Sequence, residues 1–135
     1  MPYSRARLTG QSVLIVDDSE QITALLRDIF SADGADVTVA NSGQDAMVAL
    51  QLRPYDLVLL DLLMPRPDGQ DVIGFMQQLN PALLTRTIVL TADRYSRQVR
   101  RMEHQMHIRM THKPFDVAEL RTTARQVVGP RTAAA

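Results

Sequence analysis

The sequence predicts a doubly wound α/β sandwich: a five-stranded parallel sheet with helices packed on both faces. Three observations carry that prediction. Short runs rich in Val, Ile and Leu read as strands buried on both faces, and stretches with apolar residues at helical spacing separate them. The strand-helix alternation occurs five times with no internal repeat and no low-complexity segment. Three runs stop at a charge: Val13-Leu14-Ile15-Val16 at Asp17-Asp18, Leu57-Val58-Leu59-Leu60 at Asp61, and Met110-Thr111-His112 at Lys113-Pro114. In a parallel sheet these charges converge on one edge, where open α/β sheets bind ligands.

The elements follow in order. Residues 1–10, with Arg5 and Arg7 and no periodicity, predict a loose tail, and order begins near Ser12. After the first strand, Ser19 caps a helix on which Ile22, Leu25, Leu26 and Ile29 share a face, and Gly34 marks its end. Residues 36–40 form a short strand, and Ser42 with Asp45 resembles a capping box for a helix carrying Ala46, Ala49 and Leu50. Arg53-Pro54 closes that helix, since the residue before proline is pushed from helical geometry. Residues 57–60 form the central strand, and the two prolines and the glycine between Met64 and Gly69 impose a loop. Asp68 caps a third helix with Val72, Phe75, Met76 and Leu79 on one face, ended by Asn80-Pro81. Residues 87–90 are the fourth strand, ending at Thr91. Residues 95–106 predict a helix marked only by Val99, Met102 and Met106. A fifth strand near 108–111 precedes a helix with Val117, Leu120, Ala124 and Val127 aligned, and residues 129–135 read as a frayed tail. One domain over residues 11–128 is the expectation for a chain of 135 residues.

Composition excludes several classes. Lys+Arg 15 balances Asp+Glu 15, so no dedicated nucleic-acid surface is expected. Without cysteine there is neither a disulfide framework nor a thiolate metal site. No run approaches the roughly 18 apolar residues of a membrane span, and the first ten residues lack the apolar stretch of a signal peptide. A soluble, cytoplasmic protein without a membrane partner is the expectation.

Asp17, Asp18 and Asp61 on one edge would repel one another, so at least one would keep a proton unless a cation entered. Lone strand-end aspartates are ordinarily helix caps, which is the reading for Asp68; adjacent acids facing a third are not explained that way. Hard oxygen donors of this kind suit Mg²⁺ beside a phosphoryl group.

These residues resemble the receiver domain of bacterial two-component response regulators over about residues 12–128. The matching pieces are Val16-Asp17-Asp18 after strand one, Asp61 after strand three with Met64-Pro65 and Asp68-Gly69 following, Thr91-Ala92 after strand four, and Lys113-Pro114-Phe115 after strand five. Each piece alone is weak, but the four in this order are specific. The resemblance implies the flavodoxin-like strand order 2-1-3-4-5 and a cis bond before Pro114. It further implies a phosphoacceptor signalling switch, not an enzyme, in which Asp61 takes a phosphoryl group from a histidine kinase or phosphotransfer protein. Asp18, Asp61 and the backbone carbonyl of Leu63 would ligate Mg²⁺, with Mn²⁺ as the alternate ion and Asp17 acting through water. Lys113 would contact a phosphoryl oxygen and Thr91 would donate its hydroxyl. The signal would leave through the fourth helix, fifth strand and fifth helix, toward a downstream protein or a homodimer.

The chain departs from that family in three places. Met110 stands where an aromatic switch residue is usual. His104-Gln105-Met106-His107 lacks the glycine that ends the fourth helix, which predicts a longer or less regular helix. Leu63 offers no side-chain hydrogen bond to an attacking water, which predicts a long-lived aspartyl phosphate; Asp93, two residues beyond Thr91, is the nearby side chain that can accept one from it. Arg94, Arg97, Arg100 and Arg101 read as a solvated face before they read as a site for an acidic partner. His104 and His107 lack a third metal ligand. Three other functions compete. An aspartyl-nucleophile phosphohydrolase usually carries its nucleophile after the first strand, with a second acid two residues on. A nucleotide-binding module would need a glycine-rich phosphate loop, which is missing. A degenerate receiver used only for docking would be expected to have lost one of the three acids.

Overall fold

The computed structural model describes residues 8–92 and 96–129. Five strands, β1 Ser12–Val16, β2 Asp36–Ala40, β3 Leu57–Asp61, β4 Thr87–Thr91 and β5 Arg109–His112, form one parallel sheet in the order β2-β1-β3-β4-β5. Aliphatic runs without polar alternation need cover on both sides, and every residue of β3 and β4 is buried. Their side chains alternate between two layers. Leu14, Val16, Val58, Leu60 and Val89 meet α2 Gly43–Leu52, α3 Gly69–Leu79 and α4 Arg97–His104. Val13, Ile15, Leu57, Leu59, Ile88 and Leu90 meet α1 Glu20–Ala32 and α5 Val117–Val128. This is the doubly wound sandwich in the expected strand order.

Side-chain caps start the helices. Ser19 accepts from Ile22 N and Ser42 from Asp45 N, while Asp68 and Asp71 close a reciprocal capping box at α3. At α2 only the Ser42 half of the anticipated box is formed, because Asp45 faces solvent. Asp116 caps α5 through Glu119 N.

Several expectations are corrected. Leu8, assigned to the tail, is 1% exposed and packs with Leu26 and Phe30, and its N–H donates to Asp33 O. Its single apolar side chain had no periodic neighbours in the sequence, yet it fills the end of the α1/α5 layer. The buried face of α1 is Thr23, Leu26 and Phe30, while Leu25 points outward, as does Leu79 on α3. The apolar stripes were read one position too wide. A 3-10 helix, Pro81–Arg86, follows α3 unannounced; Asn80 caps it and Leu83 seats it in the core.

The fourth helix, expected to run to about residue 106 and to be longer or less regular, is shorter and ends irregularly. It ends at His104, and the chain turns through His107 at φ 58, a left-handed conformation that an imidazole adopts here in place of glycine. Met106 N then bonds Arg101 O and Ile108 N bonds Met102 O, so the turn satisfies the helix end without glycine. Asp93, Arg94 and Tyr95 lie outside the described residues, as do the chain ends 1–7 and 130–135; Arg97, Arg100 and Arg101 are exposed.

Candidate functional site

Register brings the charged residues together. Val16 pairs with Leu60 and Thr91 with His112, so Asp17, Asp61 and Lys113 emerge side by side at the carboxyl edge of the sheet. Carboxylate oxygens of Asp17, Asp18 and Asp61 lie within 4.8 Å of one another. Asp17 is 1% and Asp61 4% exposed, whereas Asp18 faces solvent at the rim.

The two buried acids are held differently. Asp17 Oδ1 accepts from Ser19 N at 2.9 Å, and its Oδ2 accepts from Lys113 Nζ at 3.0 Å. Lys113 Nζ also stands 3.4 Å from Asp61 Oδ1, which accepts in turn from Leu63 N at 3.2 Å. One ammonium therefore bridges two carboxylates across 96 positions of sequence. The sheet edge is pinned behind it, since Lys113 N donates to Thr91 O at 2.8 Å.

Burial, and then the charge of Asp17, pushes Asp61 up to about 6, against the opposite pull of Lys113 and the Leu63 N–H. Lys113 behaves inversely. Burial alone would lower it, but the hydrogen bond and charge of Asp17 and the charge of Asp61 hold it above the ordinary ammonium range. Three carboxylates against one ammonium leave negative charge uncompensated, and the donors are hard oxygens open at the Asp18 rim. Asp17, Asp18 and Asp61 thus fit a divalent cation of the Mg²⁺ type.

Two further residues shape the site: Asn41, which sequence reasoning missed, and Gly69, which it named only as part of the Asp68-Gly69 pair without its steric role. Asn41, at the end of β2, donates to Asp17 O at 3.0 Å and to Thr23 Oγ1 at 3.2 Å, fixing the loop that carries the acids. Its position just past a strand on the same edge was the available signal. Gly69, at the first turn of α3, lets the helix approach the acid-bearing strand; a Cβ there would sit 2.6 Å from Asp61 O and 2.6 Å from Leu62 Cα.

The remaining predicted residues are placed as follows. Thr91 is fully buried at the end of β4. Leu63 presents its backbone N–H inward while its side chain is 57% exposed. Met110 is half-buried and packs against the α2/α3/α4 layer. The bond before Pro114 is cis, and so, unanticipated, is the one between Arg66 and Pro67.

Comparison with known proteins gives a consistent set. The family model described as the response regulator receiver domain matches residues 13–125. The sporulation initiation phosphotransferase F of Bacillus subtilis is 31% identical over 121 residues, covering 88% of this chain and 94% of that protein. The transcriptional regulatory protein CpxR of Escherichia coli is 36% identical over 80 residues, 59% of this chain, and the matched region spans only 33% of that regulator. Among solved structures, the receiver domain of the Francisella response regulator 1452 superposes with a TM-score of 0.76 at 26% identity, covering 88% of this chain and 97% of that one. The signal receiver domain of an HD domain-containing protein from Pseudomonas fluorescens does so with a TM-score of 0.79 at 27% identity, covering 88% and 94%. No helix among the described residues is long and apolar enough to cross a membrane.

Proposed function

This chain belongs to the response regulator receiver domain family of two-component systems, and from that premise we propose that it is a Mg²⁺-dependent phosphoacceptor switch with Asp61 as the acceptor. The observation that carries the proposal is the Asp17, Asp18 and Asp61 oxygens within 4.8 Å, with Lys113 spanning Asp17 and Asp61. An Asp61 oxygen bonds to the phosphorus of a phosphohistidine on a histidine kinase or phosphotransfer protein. The nitrogen-phosphorus bond breaks, and the imidazole leaves with its electron pair. An ionised carboxylate needs no general base, so the protein's work is positioning and charge neutralisation.

Asp18, Asp61 and the Leu63 carbonyl would hold the metal, with Asp17 acting through water. When bound, Mg²⁺ neutralises the carboxylates and the phosphoryl oxygens and so keeps Asp61 ionised. Lys113 meets a phosphoryl oxygen as a point charge. Thr91 donates its hydroxyl to another oxygen, which pulls on the end of β4. That pull biases two packings of α4, β5 and α5, the face offered to a downstream protein or a second copy.

Incubation with acetyl phosphate and Mg²⁺, followed by intact-mass measurement, tests the proposal. One phosphoryl group is expected on wild type and none on Asp61→Ala. No addition to wild type, or equal addition to both, defeats it.

A further inference from the structure

His112 has no part in that switch, yet its imidazole is built in beside it. Thr91 and His112 are register partners across β4 and β5, and partners in neighbouring parallel strands project to the same face. Thr91 is fully buried, and His112 Nδ1 is also buried, with no hydrogen-bond partner among the described residues. Buried ring nitrogens are normally paired, and an unpaired one points to a state in which it finds its partner. On the same face, two residues earlier, Met110 offers only a flexible thioether, which lacks the discrete ring positions of an aromatic.

We propose that His112 is the positioning residue that reads Thr91 in this chain, its Nδ1–H donating to Thr91 Oγ once that hydroxyl has turned its own proton toward the phosphoryl group on Asp61. A threonine hydroxyl carries one donor and two acceptor lone pairs, so an oxygen that donates to the phosphoryl group can also accept from the imidazole. The resulting chain, His112 to Thr91 to phosphoryl oxygen, polarises along its length and is stronger than either bond alone. No atom is transferred. Nδ1 gains the partner it lacks among the described residues, and this side-chain tie between β5 and the end of β4 forms only when Asp61 is phosphorylated. The signal thereby enters β5 two residues beyond Met110, next to Lys113.

The inference rests on Asp61 as phosphoacceptor, and one experiment separates the two claims. Protein labelled with nitrogen-15 is treated with acetyl phosphate and Mg²⁺. Intact mass gives incorporation, and two-bond proton-nitrogen spectra follow the His112 ring. The Nδ1–H proton resonance is expected to move to a hydrogen-bonded position in step with incorporation. No added mass overturns both claims; full incorporation with an unmoved Nδ1 overturns this one alone.

Variants give a second arm. Asparagine places an amide donor where Nδ1 sits, whereas leucine removes it. An ordinary hydrogen bond shifts a two-state ratio by about tenfold. At equal phosphorylation, His112→Leu is therefore expected to lose about tenfold in the phosphorylated-state ratio read from the Met102 and Met110 methyl resonances, and His112→Asn to recover most of it. Wild-type behaviour in both variants, or equal loss in both, overturns the proposal.

Discussion

A carboxylate buried against a second carboxylate holds its proton too well, and Asp61 shows this in a value near 6 instead of the ordinary 3.8. The consequence for stability has a definite sign. Between about pH 4 and 6 the folded protein retains a proton that the unfolded chain has released, so stability falls as pH rises through that window. Above it, metal-free wild type bears the whole penalty. Asp61→Asn is expected to be more stable than metal-free wild type near neutral pH by on the order of 2 kcal/mol, discounted for the open rim at Asp18, with the difference vanishing near pH 4. Denaturant melts at the two pH values check it. The proposed switch makes Leu63 a test of lifetime. Its side chain is exposed and apolar and has no hydrogen bond to offer a water beside a phosphoryl group, so Leu63→Asn is expected to hasten dephosphorylation about tenfold. An unchanged decay of the phosphorylated mass would remove that role.

At the scale of elements, α4 and α3 show how single backbone positions decide a boundary. His107 holds φ 58, a region that disfavours side chains, and nothing in the local pattern announced it because a histidine is not a stop signal. His107→Gly is expected to raise stability by about 0.5–1 kcal/mol, the relief of left-handed strain partly offset by the freer unfolded chain; thermal melts measure it. Gly69 works in the other direction. An added Cβ meets Asp61 O and Leu62 Cα, both backbone atoms that cannot swing aside, so Gly69→Ala is expected to cost about 1–3 kcal/mol and to slow phosphorylation by acetyl phosphate. Wild-type stability and rate in Gly69→Ala would show that α3 yields without disturbing Asp61. The caps at Ser19 and Asp68 were legible because capping follows local spacing. The outward turn of Leu25 was not, since the face that a helix buries depends on what packs against it.

At the scale of the whole molecule, the α1/α5 layer is closed by groups far apart in sequence. Asp33, at the end of α1, is buried and paired with Arg121 and with Arg125 of α5, and Leu8 packs beside it against Phe30. Leu8→Ala is expected to cost about 2–4 kcal/mol in chemical denaturation; a loss below about 0.5 kcal/mol would return residue 8 to the tail. By itself the sequence determined the order of strands and helices along the chain and picked out Asp17, Asp18, Asp61 and Lys113, because periodicity, caps and strand-end charges are local properties; Thr91, uncharged, was named only through the family resemblance. The tertiary structure alone decided what no local pattern encodes: the seat of Leu8, the Asp33 tie, the Asn41 anchor, and the pairing of His112, its buried Nδ1 without a partner among the described residues, with Thr91 across β4 and β5. Each depends on which strand becomes the neighbour of which, and that is settled when the sheet forms and its layers close, by contacts between residues many positions apart.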